Sequence, residues 1–505
     1  MKLQNMYPCN IKKQINYNFI SGALVFIISL LFYIKTLAPT VVWGDCASLS
    51  IIAYLWPKAV LNPASRPLFV FLSNIFIKII PFGDVAYRVN LSSAFFGALT
   101  VLFLFQIVLK LTKSKISAFV SSMALSVSHT FWLLSVVAAH QTLTTLFLVL
   151  IILMFLKWQE DKNNLYLYLT SLFFTLSTSN NFLLIILIPA FIYIIGQGTK
   201  QNIRARDIYF ILLSFCLGLV GFLLFYWPVL VNAKAKELGN FFIYEYAVKY
   251  FSVRDITTEV IKYPFYLLYQ FPIFAFLIGL IGAKKLFREK RKFFIFLFLM
   301  FIINIITSAG FFRQRHYYLF VISYVIFSIW VGFGSQHLIK KFSQEFAKRI
   351  LFISIILISI VLTPLMLYYN IPKIAKLMNV DLIGARDIPY RDNDKFFLLP
   401  DKSGYYGAYD YASQAFFTAK PDSLIIADYT PHIVMRYLQI VERKRLDIEV
   451  RDVMPIPELL TLVKERINQQ PIYLADDKVY YGIDSLKNIY KIVKQGNIYE
   501  VQNIK

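Results

Sequence analysis

Residues 284 to 310 read KKLFREKRKFFIFLFLMFIINIITSAG. The second part, from Phe293 to Gly310, carries no charged side chain. A helix rises about 1.5 Å per residue, so this run nearly covers the roughly 30 Å hydrocarbon core of a bilayer. The cations ahead of it, Lys284, Lys285, Arg288, Lys290, Arg291 and Lys292, form the kind of flank that stays on the cytoplasmic side. A basic flank joined to a charge-free run is the pattern of a membrane span, and the rest of the chain repeats it.

Of the 505 residues 58% are hydrophobic, against a soluble norm of roughly 45–50%, and 16% are charged, against about 25%. That excludes a water-soluble enzyme. The 19 Gly and 19 Pro are few beside 48 Phe and 33 Tyr, which excludes collagen-like and disordered chains. Apolar runs recur near 18–36, 90–109, 116–138, 142–156, 165–179, 182–196, 208–230, 264–283, 293–310, 316–334 and 350–369. They predict a polytopic α-helical membrane protein with about eleven transmembrane helices. The fourth to sixth are short, so Ser179-Asn180-Asn181 is a candidate break within one hairpin.

Alternate connections are basic: Lys12 and Lys13; Lys110, Lys113 and Lys115; Lys157 and Lys162; Lys200, Arg204 and Arg206; 284–292; and Lys340, Lys341, Lys348 and Arg349. The opposite set is poorer, and its members around His140 and Asn180 hold no Lys or Arg. The N-terminus is therefore expected in the cytoplasm and, with an odd number of spans, the C-terminus outside. The polar start lacks an A-x-A cleavage site, so the first span is expected to be an anchor. This assigns the +23 charge to membrane flanks, and no nucleic-acid partner is expected. Cys9, Cys46 and Cys216 form no CxxC pair and suit neither a disulfide framework nor a metal site.

The texture changes near residue 371, dividing the chain into a transmembrane domain, 1–370, and a tail, 371–505. Within the tail 423–428, 447–453 and 471–476 read as strands, and 432–444 and 458–469 as helices. Such alternation predicts a C-terminal extracytoplasmic α/β domain. It has no glycine-rich phosphate loop.

The first outer loop, about 38–89, is too long for a simple connection. It holds Trp43-Gly44-Asp45-Cys46, then Asn62-Pro63-Ala64-Ser65-Arg66-Pro67, then an interfacial helix over 68–80. Asp45 is the candidate catalytic carboxylate, although Gly-Asp before a helix is also an ordinary cap. Asp84 reads as a cap. The candidate substrate-binding residues are Asn62, Arg66, His140, Asn181, Arg313, Arg315 and His316. Outward guanidinium groups, Arg88 among them, suit either a phosphate or lipid headgroups. His140 and Asn181 lie at outer helix ends, where polar residues are common, and His129 in the third span reads as packing. The spans are almost free of ionisable groups, which favours a surface enzyme acting on a membrane-embedded substrate over a transporter.

Thr36-Leu-Ala-Pro-Thr-Val-Val-Trp-Gly-Asp45, with Pro81-Phe-Gly-Asp-Val-Ala-Tyr-Arg88 and Val89 to Leu99 after it, resembles a large bacterial family of membrane proteins of unknown function. The eukaryotic relative of that family is a transmembrane protein O-mannosyltransferase, and the family is similar to the GT-C glycosyltransferases. The likeness extends to Thr130-Phe-Trp132 and Arg315-His-Tyr-Tyr318, and in the tail to Pro389–Asn393 and Ile426–Asp428.

The resemblance implies a GT-C-like membrane part in a bacterial inner membrane. It also implies transfer of a sugar, mannose among the candidates, from a polyprenyl-phosphate carrier to an extracytoplasmic protein or glycan acceptor, with Asp45 as base. This chain departs from the family's pattern at Asn62-Pro-Ala-Ser-Arg-Pro67, at Ala139 and at Asn181. The chemistry asks for one carboxylate, because phosphate is a good leaving group and needs no acid to protonate it. No metal or other cofactor is required. A lipid-linked-sugar flippase and an inactive envelope assembly factor are the alternatives.

Overall fold

In the computed structural model, which describes residues 7–58, 66–198, 205–232, 252–311, 317–342 and 346–504, helices start where the sequence supplies a cap. Helix α1 covers Tyr7–Lys35. Gly44 caps α2 (Asp45–Leu55), and Pro67 opens α3 (Pro67–Ile79), the helical position where a missing N–H does no harm. The Asp84 side chain caps α4 (Val85–Thr112), accepting from the Tyr87 N–H at 2.6 Å. Helices α5 (Lys115–Ser126), α6 (His129–Ser135), α7 (Gln141–Asp161), α8 (Leu165–Thr178), α9 (Ile188–Gly198) and α10 (Ala205–Asn232) follow. Then come α11 (Val253–Gln270), α12 (Phe274–Glu289), α13 (Arg291–Gly310), α14 (Val321–Phe342) and α15 (Phe346–Leu377).

Among the described residues, six helices are long and apolar enough to cross a membrane, or eight if each bent pair counts as one span. This is fewer than the expected eleven, because apolar runs in the sequence are bent or short in the fold. The run over 264–283 is two helices bent by 113°, because Pro272 cannot continue a helix and disfavours the helical conformation before it. The run over 116–138 bends by 71° between α5 and α6. Helix α8, with 14 residues, falls short of a full span. At 179–181 α8 ends in a turn that leads into a 3-10 helix, Phe182–Leu187.

The tail forms α16 (Asn393–Leu398), α17 (Gly407–Thr418), β1 (Leu424–Ala427), α18 (Tyr429–Ile440), β2 (Glu449–Asp452), α19 (Ile456–Arg466), β3 (Ile472–Leu474), α20 (Ile483–Lys487), β4 (Tyr490–Gln495) and β5 (Ile498–Asn503). The sheet order is β2-β1-β3-β5-β4. The first three strands are parallel, and the β4–β5 hairpin is antiparallel. Every residue of β1 and β3 is buried, as fits strands covered on both faces.

The ends of the helix bundle differ. At one, Lys113 pairs with Glu160 and the Lys290 amine donates to the Leu111 carbonyl, so the basic turns gather there. At the other, the sheet region rests on the first loop: the Ala86 N–H donates to the Tyr437 hydroxyl at 3.0 Å, and the Trp43 indole bonds Tyr405.

Candidate active site

Gly44 has φ +67° and ψ −133°, a backbone conformation open essentially to glycine. It holds the N-cap position, so Asp45 enters the first turn of α2 and makes no capping bond. A carboxylate there is favoured by the helix dipole and stays exposed. One oxygen accepts from the Tyr429 hydroxyl at 2.8 Å. The neighbouring Cys46 thiol is pushed up to about 12 by desolvation and then by the Asp45 charge. It stays protonated and is no nucleophile.

Two groups of polar side chains flank Asp45. On one side Arg66, in a left-handed conformation ahead of Pro67, brings its charge near both Tyr318 and His140. Burial, then Arg66, presses His140 well below the usual imidazole range. The His140 carbonyl accepts from the amide of Asn180, a residue next to Asn181 in the turn after α8. His140 Nδ1, Ser179 Oγ and Asn180 Oδ1 are buried without hydrogen-bond partners. Such unpaired polar atoms are uncommon in a folded interior and are suited to a polar ligand.

On the other side, residues 393–406 contact the ends of α1 and α11. The Lys402 N–H bonds the Thr36 carbonyl at 3.0 Å, and the Tyr269 hydroxyl donates to the Leu398 carbonyl at 3.0 Å. The Lys402 side chain is 2% exposed, with its amine bonded to the Leu399 carbonyl and 5.4 Å from the centre of the Phe396 ring. Burial lowers its pKa to about 7, partly offset by Asp401. Its charge bears on Cys46 and on His129. His129 packs against the rings of Tyr269, Tyr317 and Tyr368. Neither of its nitrogens reaches hydrogen-bond geometry, although the Phe397 and Leu398 carbonyls approach. It is a packing residue that also presents unpaired polar atoms.

Of the expected site residues, Asp45, Arg66, His140 and Asn181 fall in this region, while Asn62, Arg313, Arg315 and His316 lie outside the described residues. The Arg88 guanidinium donates to the carbonyls of Ile77, Phe82 and Gly83, tying down the turn after α3. Lys402 and Tyr429 were not anticipated. Asp401-Lys402-Ser403-Gly404 reads as a solvated turn, and a tyrosine at the end of a strand carries no signal of its own. Among the described residues no three His, Cys, Asp or Glu gather as metal ligands.

The architecture is that of a multi-pass membrane protein with a GT-C-like fold and a sheet region at its C-terminal end. Two crystal structures of ArnT from Cupriavidus metallidurans match it at 98% and 97% coverage of this chain and 98% of theirs. TM-scores are 0.57 for the apo state and 0.58 for the form bound to undecaprenyl phosphate, at 13% and 12% identity. Residues 45–204, beginning at the candidate carboxylate, match the family described as Protein O-mannosyl-transferase TMEM260 N-terminal domain. The Mus musculus protein O-mannosyl-transferase TMEM260 is 33% identical over 125 residues, 25% of this chain and 18% of that protein. The Dictyostelium discoideum tmem260 protein is 23% identical over 89% of this chain and 58% of its own length. The chain thus matches less than two thirds of the length of either relative.

Proposed function

We propose that this protein is a glycosyltransferase that moves a sugar, mannose by analogy with the relatives, from a polyprenyl-phosphate carrier to a protein hydroxyl. The reaction takes place on the extracytoplasmic face of a bacterial inner membrane, with the N-terminus in the cytoplasm. The observation that carries this reading is an exposed carboxylate at Asp45, the first residue of the family match, which makes no capping bond and accepts from the Tyr429 hydroxyl at 2.8 Å. The ArnT likeness to a protein bound to undecaprenyl phosphate supports the carrier, and the alternation of basic loops supports the orientation.

In this scheme Asp45 takes the proton of the acceptor hydroxyl as its oxygen bonds to C1 of the sugar. The bond between C1 and the phosphate oxygen breaks, and the polyprenyl phosphate leaves with the electron pair. Arg66 and Lys402, with Arg313, Arg315 and His316, offset charge on the departing phosphate. His140, Asn180, Asn181 and Asn62 bind the sugar hydroxyls, consistent with the unpaired polar atoms around the turn after α8. The scheme needs no metal, because the leaving phosphate requires neither a second acid nor a Lewis acid to depart.

The test is reconstitution in liposomes with polyprenyl-phosphate mannose and a threonine-containing peptide outside. Mass spectrometry is expected to find hexose bound to the peptide. Donor that crosses the bilayer without any new glycosidic bond would identify a flippase instead.

A further inference from the structure

Tyr429 belongs to the tail, yet its hydroxyl is the group hydrogen-bonded to Asp45, at 2.8 Å. It is the first residue of α18, directly after the carboxyl end of β1. Chain order reverses at this strand, since β2 pairs on one side of β1 and β3 on the other, and that edge of a parallel sheet is where α/β domains place ligands.

The position of Tyr429 is fixed from behind. Asp428 caps α18 through the Thr430 N–H at 3.1 Å, accepts from the Tyr481 hydroxyl at 2.7 Å and pairs with Arg386 at 2.7 Å. From the side, the Tyr437 hydroxyl ties α18 to the start of α4. The Tyr429 ring is 46% exposed, so the contact is not a closed core. Burial, and then the Asp45 charge, raise the pKa of this phenol, which keeps its proton and can only donate to the carboxylate.

The bond from Tyr429 to Asp45 is the one an acceptor must make before transfer: a hydroxyl on a polypeptide giving its hydrogen bond to the base. We infer that Tyr429 is a placeholder for the acceptor, and that the acceptor site is the seam between the first turn of α2 and the start of α18. A serine or threonine side chain on an extended peptide enters that seam by displacing the Tyr429 hydroxyl. This rests on the reading of Asp45 as base given above, and it assigns the tail a direct part in choosing the acceptor.

The test compares purified wild type, Tyr429→Phe and Asp45→Asn with polyprenyl-phosphate mannose and a threonine-containing peptide, beside their melting curves. Phenylalanine keeps the half-exposed ring and removes only the competing hydroxyl. A net hydrogen bond is worth about 0.5–1.5 kcal/mol, so the acceptor KM in Tyr429→Phe is expected to fall roughly 2- to 10-fold, with the donor KM unmoved. An acceptor KM that stays put or rises, while Asp45→Asn is inactive, overturns the placeholder alone. If Asp45→Asn transfers as fast as wild type, the base assignment and the placeholder fall together.

Discussion

At the scale of single residues, the first loop is organised by one glycine. Because Gly44 takes the cap with a backbone that other residues adopt only under strain, Gly44→Ala should cost about 1–3 kcal/mol of stability and move Asp45 off its line. A lowered melting temperature together with lost transfer would show this; unchanged melting would mean that the loop does not need that conformation. Lys402 gives a pH dependence. Its pKa in the folded protein, about 7, lies below the ordinary lysine value of about 10.4, so the unfolded chain binds the extra proton between the two. Its contribution therefore makes stability rise with pH through that window. Donor binding should run the other way, because the ammonium form that meets the phosphate is lost as pH rises past about 7. Donor KM measured from about pH 6 to about pH 8.5 should increase in wild type, and this increase should be smaller in Lys402→Met. An identical profile in the variant would remove Lys402 from the donor site.

At the scale of elements, α12 and α14 meet where neither backbone can take a side chain. A Cβ on Gly334 would lie 1.9 Å from the Ile278 carbonyl oxygen, and one on Gly282 would lie 1.7 Å from that of Trp330. Small residues permit this approach between membrane helices. Gly334→Leu should therefore cost about 1–3 kcal/mol of stability or more through overpacking and lower the melting temperature, whereas an exposed residue such as Leu280 tolerates exchange for Ile. Equal melting of both variants would contradict the packing. Much at this scale was legible in the sequence. The runs at 423–428, 447–453 and 471–476 are β1, β2 and β3 to within one or two residues at each end; β1 and β3 are buried and read as short aliphatic runs, while β2, Glu449–Asp452, is a largely polar strand at the sheet edge. The hairpin β4–β5 was missed although Gly496-Asn497 is a two-residue turn between alternating strands. The bend at Pro272 was also missed, because a hydropathy window adds apolar residues without regard to the one that cannot hydrogen-bond.

At the scale of the whole molecule, the sheet region and the first loop occupy one end and the basic turns the other. In a chain with Cys9, Cys46 and Cys216 changed to Ala, a single cysteine at position 410 should react with an impermeant reagent from outside spheroplasts, and one at 288 should not; the reverse would move the reaction to the cytoplasm. Legibility of the site followed sequence distance. Asp45 and Arg66 could be found because the first loop is contiguous and its length was unexplained. Tyr429 lies 384 positions from its partner, and Lys402 is buried by segments that only the fold brings over it. The central claim is that Asp45 is the base. It is measured most directly by the rate of mannose transfer from polyprenyl-phosphate mannose by wild type and Asp45→Asn. The asparagine keeps size and an oxygen that can accept from the Tyr429 hydroxyl, and it removes basicity; since Asp45 makes no capping bond, melting should fall only by the helix-dipole contribution of its charge, about 0.3–1 kcal/mol. The account predicts a transfer rate about 10²–10⁴-fold lower in Asp45→Asn; transfer at the wild-type rate would contradict it.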